Sequence, residues 1–196
     1  MLNTMNTWCC KWRMTVNAMN TNIIHHRPKD YMRSQFVFRC GDDVIEYATQ
    51  YKYLGLTLNE HMDMSKSVSI LAKSATCALG AIMTKFRLKG GMNYNVYTQL
   101  YDSMVEPILL YAAGTWSANV TSGAPAVKIQ NKAEHFYMGV GKCAPNDATR
   151  GDMCWTDPNV RQKVEKARQW CRFKNMNNDR ITKRIHNCWT DPIMGL

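Results

Sequence analysis

Apolar and polar residues alternate along the first part of the chain. Gln35–Cys40 and Val44–Tyr47 alternate on either side of Gly41-Asp42-Asp43, which is the pattern of two strands joined by a tight turn. Tyr51–Leu58 alternates again, and a short strand is expected to end near Ile23. These segments predict a small antiparallel sheet in the front third of the chain.

Beyond residue 60 the apolar residues recur every three or four positions, which is the spacing of one face of an amphipathic helix. Pro107 is expected to end or kink the second of these helices, because proline lacks the backbone donor. Thr121–Pro125 is predicted to be a linker. The predicted helices are Ser65–Phe86, one from Asn95 onward, Val127–Met138, Asn159–Met176 and Arg180–Asn187.

Together these patterns predict an α+β fold in which a small antiparallel sheet precedes a mostly helical region. We divide the chain into a β region at 1–60, a helical region at 61–120 and a basic helical tail at 121–196. A pentapeptide, Cys154–Pro158, recurs as Cys188–Pro192. Each copy carries the Asp-Pro pair typical of a helix start. Because only four residues follow the second copy, we expect the sequence to be cut short there.

Composition adds a strong positive charge to this picture. The 196 residues carry 25 Lys and Arg against 15 Asp and Glu, a formal net charge of +10. Such a surplus favours a polyanionic partner. The sequence has no uncharged apolar stretch of about 18 residues and no apolar signal region at its start, so we expect an intracellular protein that neither spans a membrane nor is secreted. The eight cysteines are then expected to be reduced thiols.

The basic residues are concentrated in two segments. Residues 65–92 contain Lys66, Lys73, Lys85, Arg87 and Lys89 and no acidic residue, and residues 159–184 contain nine basic residues against two acidic ones. Solvated helix faces usually mix both signs, so the missing acids favour contacts with nucleic-acid phosphates.

Candidate catalytic motifs are few. Gly41-Asp42-Asp43 between two strands could hold catalytic magnesium ions, but the two-metal scheme needs a further carboxylate from an upstream strand, and only Asp30 precedes the pair. We therefore interpret the motif as a β-turn between the two strands, because glycine and aspartate are typical turn residues. His25-His26 is interpreted as a surface or capping pair, because adjacent strand residues point to opposite faces.

The order of several motifs resembles the reverse transcriptases of non-LTR retrotransposons. Trp12–Asn17 resembles the segment after the catalytic aspartates, and Tyr51–Leu56 resembles the tyrosine-leucine-glycine turn called the primer grip. Leu100-Tyr101 and Val105–Tyr111 with Trp116 resemble the thumb helices. Two further segments, Ile129–Glu134 and the stretch from Trp170 to Ile181, resemble the tail that follows the thumb.

The resemblance implies that the parent activity is RNA-directed DNA synthesis with magnesium, and that this chain corresponds to the palm edge, thumb and part of the tail. The family's metal-binding aspartates would lie upstream of the first residue, and Asn20 stands where the family usually carries a lysine that is a proposed proton donor. We therefore expect no bound metal or other cofactor and no nucleotide incorporation by this chain alone.

Without the catalytic aspartates, the function that the resemblance still implies for this chain is binding of an RNA–DNA primer–template duplex. Tyr53, Leu54 and Gly55 would approach the primer backbone, and Lys66, Lys73, Lys85, Arg87 and Lys89 would neutralise phosphates. Three alternatives stay open: an enzyme completed by an upstream segment encoded elsewhere, a degenerate element with no selected function, and a small basic helical interaction protein whose basic face meets a membrane. No motif identifies a protein partner.

Overall fold

The computed structural model describes residues 2–115 and 120–190. The chain forms two compact units, Met1–Ser67 and Val68–Leu196. The first unit contains all the strands of the described residues, and helices make up most of the second, so the predicted α+β class is confirmed. The finer separation of a thumb-like region from a tail at residue 120 stays a prediction.

The first unit contains two small sheets. Its elements are α1 (Leu2–Lys11), a 3-10 turn (Ala18–Asn20), β1 (Asn22–Ile23), β2 (Phe38–Cys40), β3 (Asp43–Tyr47), β4 (Gln50–Tyr53) and β5 (Leu56–Asn59). The three-stranded sheet has the order β1-β3-β2, and β4 and β5 form a separate antiparallel pair. β1 runs parallel to β3, so the prediction of a purely antiparallel sheet is wrong for this strand.

The Gly-Asp-Asp motif is a turn, as predicted. β2 and β3 are antiparallel with Cys40 opposite Asp43, so Gly41 and Asp42 form the two-residue connection. Gly41 has a φ of +65°, a left-handed backbone conformation that favours glycine. A Cβ atom there would also lie 2.7 Å from the side-chain amide nitrogen of Asn6, which would have to shift to make room.

One carboxylate holds the long loop between β1 and β2. Glu60 accepts hydrogen bonds from Arg27 at 3.1 Å and from Arg33 at 2.7 Å. His61 Nε2 lies 3.5 Å from the same carboxylate. The hydrogen bond from Arg33 lowers the pKa of Glu60, against the opposing effect of burial. The loop is therefore fixed mainly by polar contacts at its base.

The helices of the second unit follow the predicted periodicity with shifted ends. The predicted linker Thr121–Pro125 is wrong, because these residues lie within a helix that contains Pro125, and the short helix after Pro145 was not predicted. Trp116 lies outside the described residues. The helices are α2 (Ser65–Leu88), which begins at the end of the first unit, α3 (Tyr94–Met104), α4 (Glu106–Leu109), α5 (Val120–Met138), α6 (Asn146–Asp152), α7 (Pro158–Lys174) and α8 (Ile181–Thr190).

A single aromatic-rich core holds this unit together. Tyr97, Tyr101 and Leu79 are buried against Ala133 and Trp155. The indole of Trp155 stacks on Tyr101 with ring centroids 4.2 Å apart. The buried hydroxyl of Tyr97 donates to the carbonyl of Ala133 at 3.0 Å, which satisfies the one polar atom of that side chain.

The first copy of the repeated pentapeptide starts a helix, as predicted. The carboxylate of Asp157 accepts a hydrogen bond from the backbone of Asn159 at 2.7 Å, and Pro158 is the first residue of α7. In the second copy, Cys188 to Thr190 lie in α8, while Asp191 and Pro192 lie outside the described residues.

Within the described part of the chain, α2 alone has the length and mean hydropathy that a membrane span requires. Lys73 lies within its apolar stretch, and 33% of that stretch is buried within the protein. A core helix of a soluble protein meets the same length and hydropathy criteria, so this observation is weak support for a span.

Candidate nucleic-acid interface

The Tyr-Leu-Gly motif forms the tip of a β-hairpin. Tyr53 pairs with Leu56, and the two connecting residues, Leu54 and Gly55, have φ angles of +46° and +86°. Positive φ at both positions is the signature of the type I′ turn that fits the twist of a two-residue hairpin. The sequence pattern predicted one alternating strand over Tyr51–Leu58, and this is wrong because the chain reverses at Leu54.

The hairpin presents aromatic side chains to solvent. Every residue of β4 is exposed, and Tyr51 and Tyr53 share one face because strand side chains alternate. Tyr53 is 58% exposed and Leu54 at the tip is 71% exposed, whereas Leu56 on β5 is buried. An exposed tyrosine pair can pack on a sugar or base, and the exposed Lys52, which the alternation places on the opposite face of β4, can meet a phosphate from that side.

Two hydrogen-bonded contacts join the hairpin to the first turn of α2. The buried hydroxyl of Ser67 donates to the carbonyl of Thr57 at 3.0 Å and accepts from the amide of Thr57 at 2.8 Å. Beside it, the ammonium group of Lys66 donates to the side chain of Gln50 at 2.8 Å. Ser67 therefore fixes the hairpin relative to Lys66, a role that sequence analysis missed because a serine early in a helix has no distinguishing pattern.

The remaining predicted cations lie in the second unit and do not form one patch. Lys73 is exposed on α2, and Lys85 lies twelve residues further along the helix, or about 18 Å at 1.5 Å per residue. Arg87 belongs to the last turn, and Lys89 follows the end of the helix. The structure thus brings Lys85, Arg87 and Lys89 to one end of α2 and leaves Lys73 apart.

The cations at the end of α2 also have structural roles. The guanidinium of Arg87 lies over the ring of Phe136 at 5.2 Å, a cation–π contact with α5. Cations in a last turn also oppose the negative end of the helix dipole. Part of this positive charge therefore stabilises the helix end, although all four cations of this set are exposed.

The other candidate groups do not converge. Asp42 and Asp43 are exposed at their turn. His25 Nδ1 accepts from the backbone of Ser34, and His26 Nδ1 lies 3.1 Å from the carbonyl of Asn59. Over residues 2–115 and 120–190, no three His, Cys, Asp or Glu side chains are grouped as metal ligands would be. All eight cysteines are free thiols.

No protein-family model matches this chain, and no curated protein and no solved structure matches it either. The features that bear on function are therefore the exposed hairpin, the distribution of charge and the sequence motifs.

Proposed function

We propose that this chain binds nucleic-acid duplexes, as the palm-edge and thumb portion of a reverse transcriptase of the non-LTR retrotransposon type. The observation that carries the proposal is the exposed Tyr51–Gly55 hairpin, whose type I′ turn holds two tyrosines and Lys52 in solvent. The motif that resembles a primer grip is thus a projecting turn able to approach a nucleic-acid backbone.

Charge supports the same proposal. In the first unit, Lys52 lies in the hairpin and Lys66 contacts its strand β4 through Gln50. In the second unit, Lys73 is exposed on a helix whose 24 residues include no acidic side chain. Lysines that contact phosphates release condensed counterions, so binding weakens steeply with salt and depends little on sequence. The chain alone is expected to incorporate no nucleotides, because Asp42 in the turn and Asp43 at the start of β3 are not grouped with a third possible metal ligand among residues 2–115 and 120–190.

The proposal is tested by measuring the affinity of the full chain for a labelled RNA–DNA hybrid duplex between about 50 and 200 mM salt. Lys73→Gln is expected to weaken binding to every sequence alike and to reduce the slope of log affinity against log salt by about 1. Tyr53→Ala is expected to weaken binding without changing the slope, since it removes packing and no charge.

Lys142→Gln is the matched control, because Lys142 is exposed in the second unit and lies outside the candidate interface. It should change the slope less than Lys73→Gln does. Affinity that does not respond to salt, or equal effects of Lys73→Gln and Lys142→Gln, would contradict the proposed interface. Primer extension by the isolated chain would contradict the expected lack of activity.

A further inference from the structure

The two flanks of α7 differ in how their charge is compensated. On one flank, Arg161 forms ion pairs with Glu106 and with Asp102, and Arg168 pairs with Glu165. Between the two flanks, the buried side of the helix carries Pro158 and Gln162. The charges of Arg161 and Arg168 are thus paired with carboxylates of the same unit, whereas Arg172 at the end of this flank is exposed and has no ion pair among the described residues.

The opposite flank carries four residues at spacings of three, four and four positions. The four residues extend over about 16 Å of helix at 1.5 Å per residue. All are exposed, and no carboxylate of residues 2–115 or 120–190 forms an ion pair with the three lysines. We name this surface the Trp170 flank, and it consists of Lys163, Lys166, Trp170 and Lys174.

The indole of Trp170, at the centre of the Trp170 flank, packs against α8 and is partly exposed to solvent. Trp170 is 49% exposed. His186 of α8 packs at its edge with ring centroids 6.4 Å apart, and Phe173 packs against the same histidine at 6.1 Å. Lys183 donates to the carbonyl of Lys174 at 2.6 Å, which ties α8 to the end of α7. The ring is therefore held in place while half of its surface stays available.

The ammonium group of Lys174 lies over the Trp170 ring, 5.1 Å from its centre. A base that stacks on this face of Trp170 would displace the ammonium group, which the long lysine side chain can then carry to the phosphate of the same nucleotide. Stacking of bases on aromatic rings in a positively charged groove is how proteins hold single strands without regard to sequence. Like charges along the flank oppose its pairing with a second copy of this chain.

We propose that the Trp170 flank binds single-stranded nucleic acid, with one base stacked on Trp170 and the neighbouring phosphates at Lys163, Lys166 and Lys174. The inference rests on the proposed function, because it assumes a nucleic-acid partner, but it assigns a surface that the duplex interface does not include. A duplex presents its bases stacked within the helix, so the indole selects for unpaired nucleotides.

The test compares binding of the full chain to a labelled oligo(dT) single strand and to a blunt duplex. Trp170→Ala is expected to weaken single-strand binding by about tenfold and duplex binding by less than about twofold. Trp170→Phe should retain most of the single-strand affinity, because phenylalanine still offers a ring. Trp8→Ala is the matched control, since Trp8 is 54% exposed in the first unit.

A second variant tests the charges independently of the ring. Lys163→Gln combined with Lys166→Gln is expected to reduce the salt slope for single-strand binding by about 1.4, because each phosphate that is no longer neutralised lowers the slope by about 0.7. This double lysine variant still tests the proposed single-strand binding if circular dichroism shows that the Trp170→Ala variant does not fold.

The outcomes separate the two proposals. Single-strand affinity unchanged by either variant, or duplex affinity reduced equally, overturns the Trp170 flank while leaving the proposed duplex binding in place. A flank that binds polyglutamate more tightly than oligo(dT) is a peptide site, and this too overturns the inference. If the wild-type chain binds neither the single strand nor the duplex at low salt, both proposals are overturned.

Discussion

The two units of this protein are stabilised in different ways. In the first unit, Cys40, Ile45 and Leu56 are the buried apolar residues of its described part. In the second unit, helices α2, α3, α4 and α5 and the segment around Trp155 enclose a continuous core in which Tyr97 and Tyr101 are almost fully buried. One unit is organised by polar contacts around a thin core, and the other by the burial of apolar area.

Exposure of apolar side chains makes the contrast sharper. Met19 and Met32 of the first unit are 94% and 92% exposed, and Tyr31 and Phe36 also lie largely in solvent. A domain of about 60 residues buries only about 60% of the surface that its unfolded chain exposes, so it is marginally stable even when well packed. We therefore expect the first unit to unfold under milder conditions than the second.

The largest predicted effect concerns the aromatic core. Tyr101→Ala removes a ring that is 2% exposed and stacked on Trp155, and it should lower the free energy of unfolding of the second unit by about 3–5 kcal/mol. Ile45→Ala in the first unit should cost about 2 kcal/mol, the low end for such truncations, because few buried apolar neighbours line the space it leaves. Urea unfolding followed by NMR of amides in each unit measures both.

The exposed Val96→Ala in α3 is the control for Tyr101→Ala and should cost less than about 1 kcal/mol. A cost for Ile45→Ala that equals or exceeds that of Tyr101→Ala would show that the first unit depends on its core as strongly as the second does.

A smaller effect is predicted for the contact that fixes the hairpin. Ser67→Ala leaves the buried amide and carbonyl of Thr57 without their partner, which should cost about 1–3 kcal/mol. The destabilisation should be local, so amide hydrogen exchange of β4 and β5 should accelerate while α3 is unaffected. Nucleic-acid affinity should fall with it, since Lys66 and the hairpin lose their fixed arrangement.

Ser69→Ala is the matched control, because Ser69 lies two residues further along the same helix and is exposed. Equal exchange rates in the Ser67→Ala and Ser69→Ala variants would mean that the hydroxyl of Ser67 does not hold the hairpin.

The elements that could be predicted from the sequence are those specified by local pattern. The turn at Gly41-Asp42, the N-terminus of α7 at Asp157-Pro158 and the long apolar repeat of α2 each depend on residues close together in the chain. The parallel pairing of β1 with β3 could not be predicted, because β1 has two residues and its partner is chosen by the tertiary fold. Pro125 suggested a linker, yet α5 continues through it, with Ala126, Ile129 and Ala133 buried on its inner face.

In the candidate interface, too, some features could be predicted from the sequence and others depend on the tertiary structure. The Tyr-Leu-Gly turn was visible as a motif, but its type I′ geometry was not, because this geometry needs a positive φ at Leu54 as well as at Gly55. The basic residues were visible as a count, but a count does not show that the exposed Arg87 also makes a cation–π contact with Phe136. Only the three-dimensional arrangement separates the flank of α7 that carries the ion-paired Arg161 and Arg168 from the Trp170 flank.

The pKa values of carboxylates are shifted in opposite directions in the two units, so the units should also differ in how their stability depends on pH. In the first unit, the hydrogen bond from Arg33 lowers the pKa of Glu60, and hydrogen bonds from Ser65 lower the pKa of Asp63. In the second unit, burial raises the pKa of Glu134, whose side chain is fully enclosed beside Gln130 and Arg150. Burial likewise raises the pKa of Glu106, and the pairing with Arg161 offsets this only in part.

The smallest predicted effect is therefore an opposite response of the two units to acid. An acid with a raised pKa binds its proton more tightly in the folded state, so the free energy of unfolding of the second unit should rise as pH falls from 7 toward the ordinary glutamate value of 4.5. The contributions of Glu60 and Asp63 to the first unit should be retained over that range and should be lost at lower pH, as pH falls through the lowered pKa values of these two carboxylates. Urea unfolding of each unit at several pH values measures both slopes.

Glu134→Gln should flatten the response of the second unit, because glutamine can neither gain nor lose the proton, whereas the exposed Asp152→Asn should leave it as in the wild type. The variant separates titration from packing, since the amide keeps nearly the shape of the carboxylate and an oxygen that can accept from Gln130. A second unit that loses stability between pH 7 and 4.5 would mean that the pairing of Glu134 with Arg150 outweighs the cost of burying its charge. The sign of that slope thus decides whether this carboxylate is tolerated by the core or helps to hold it.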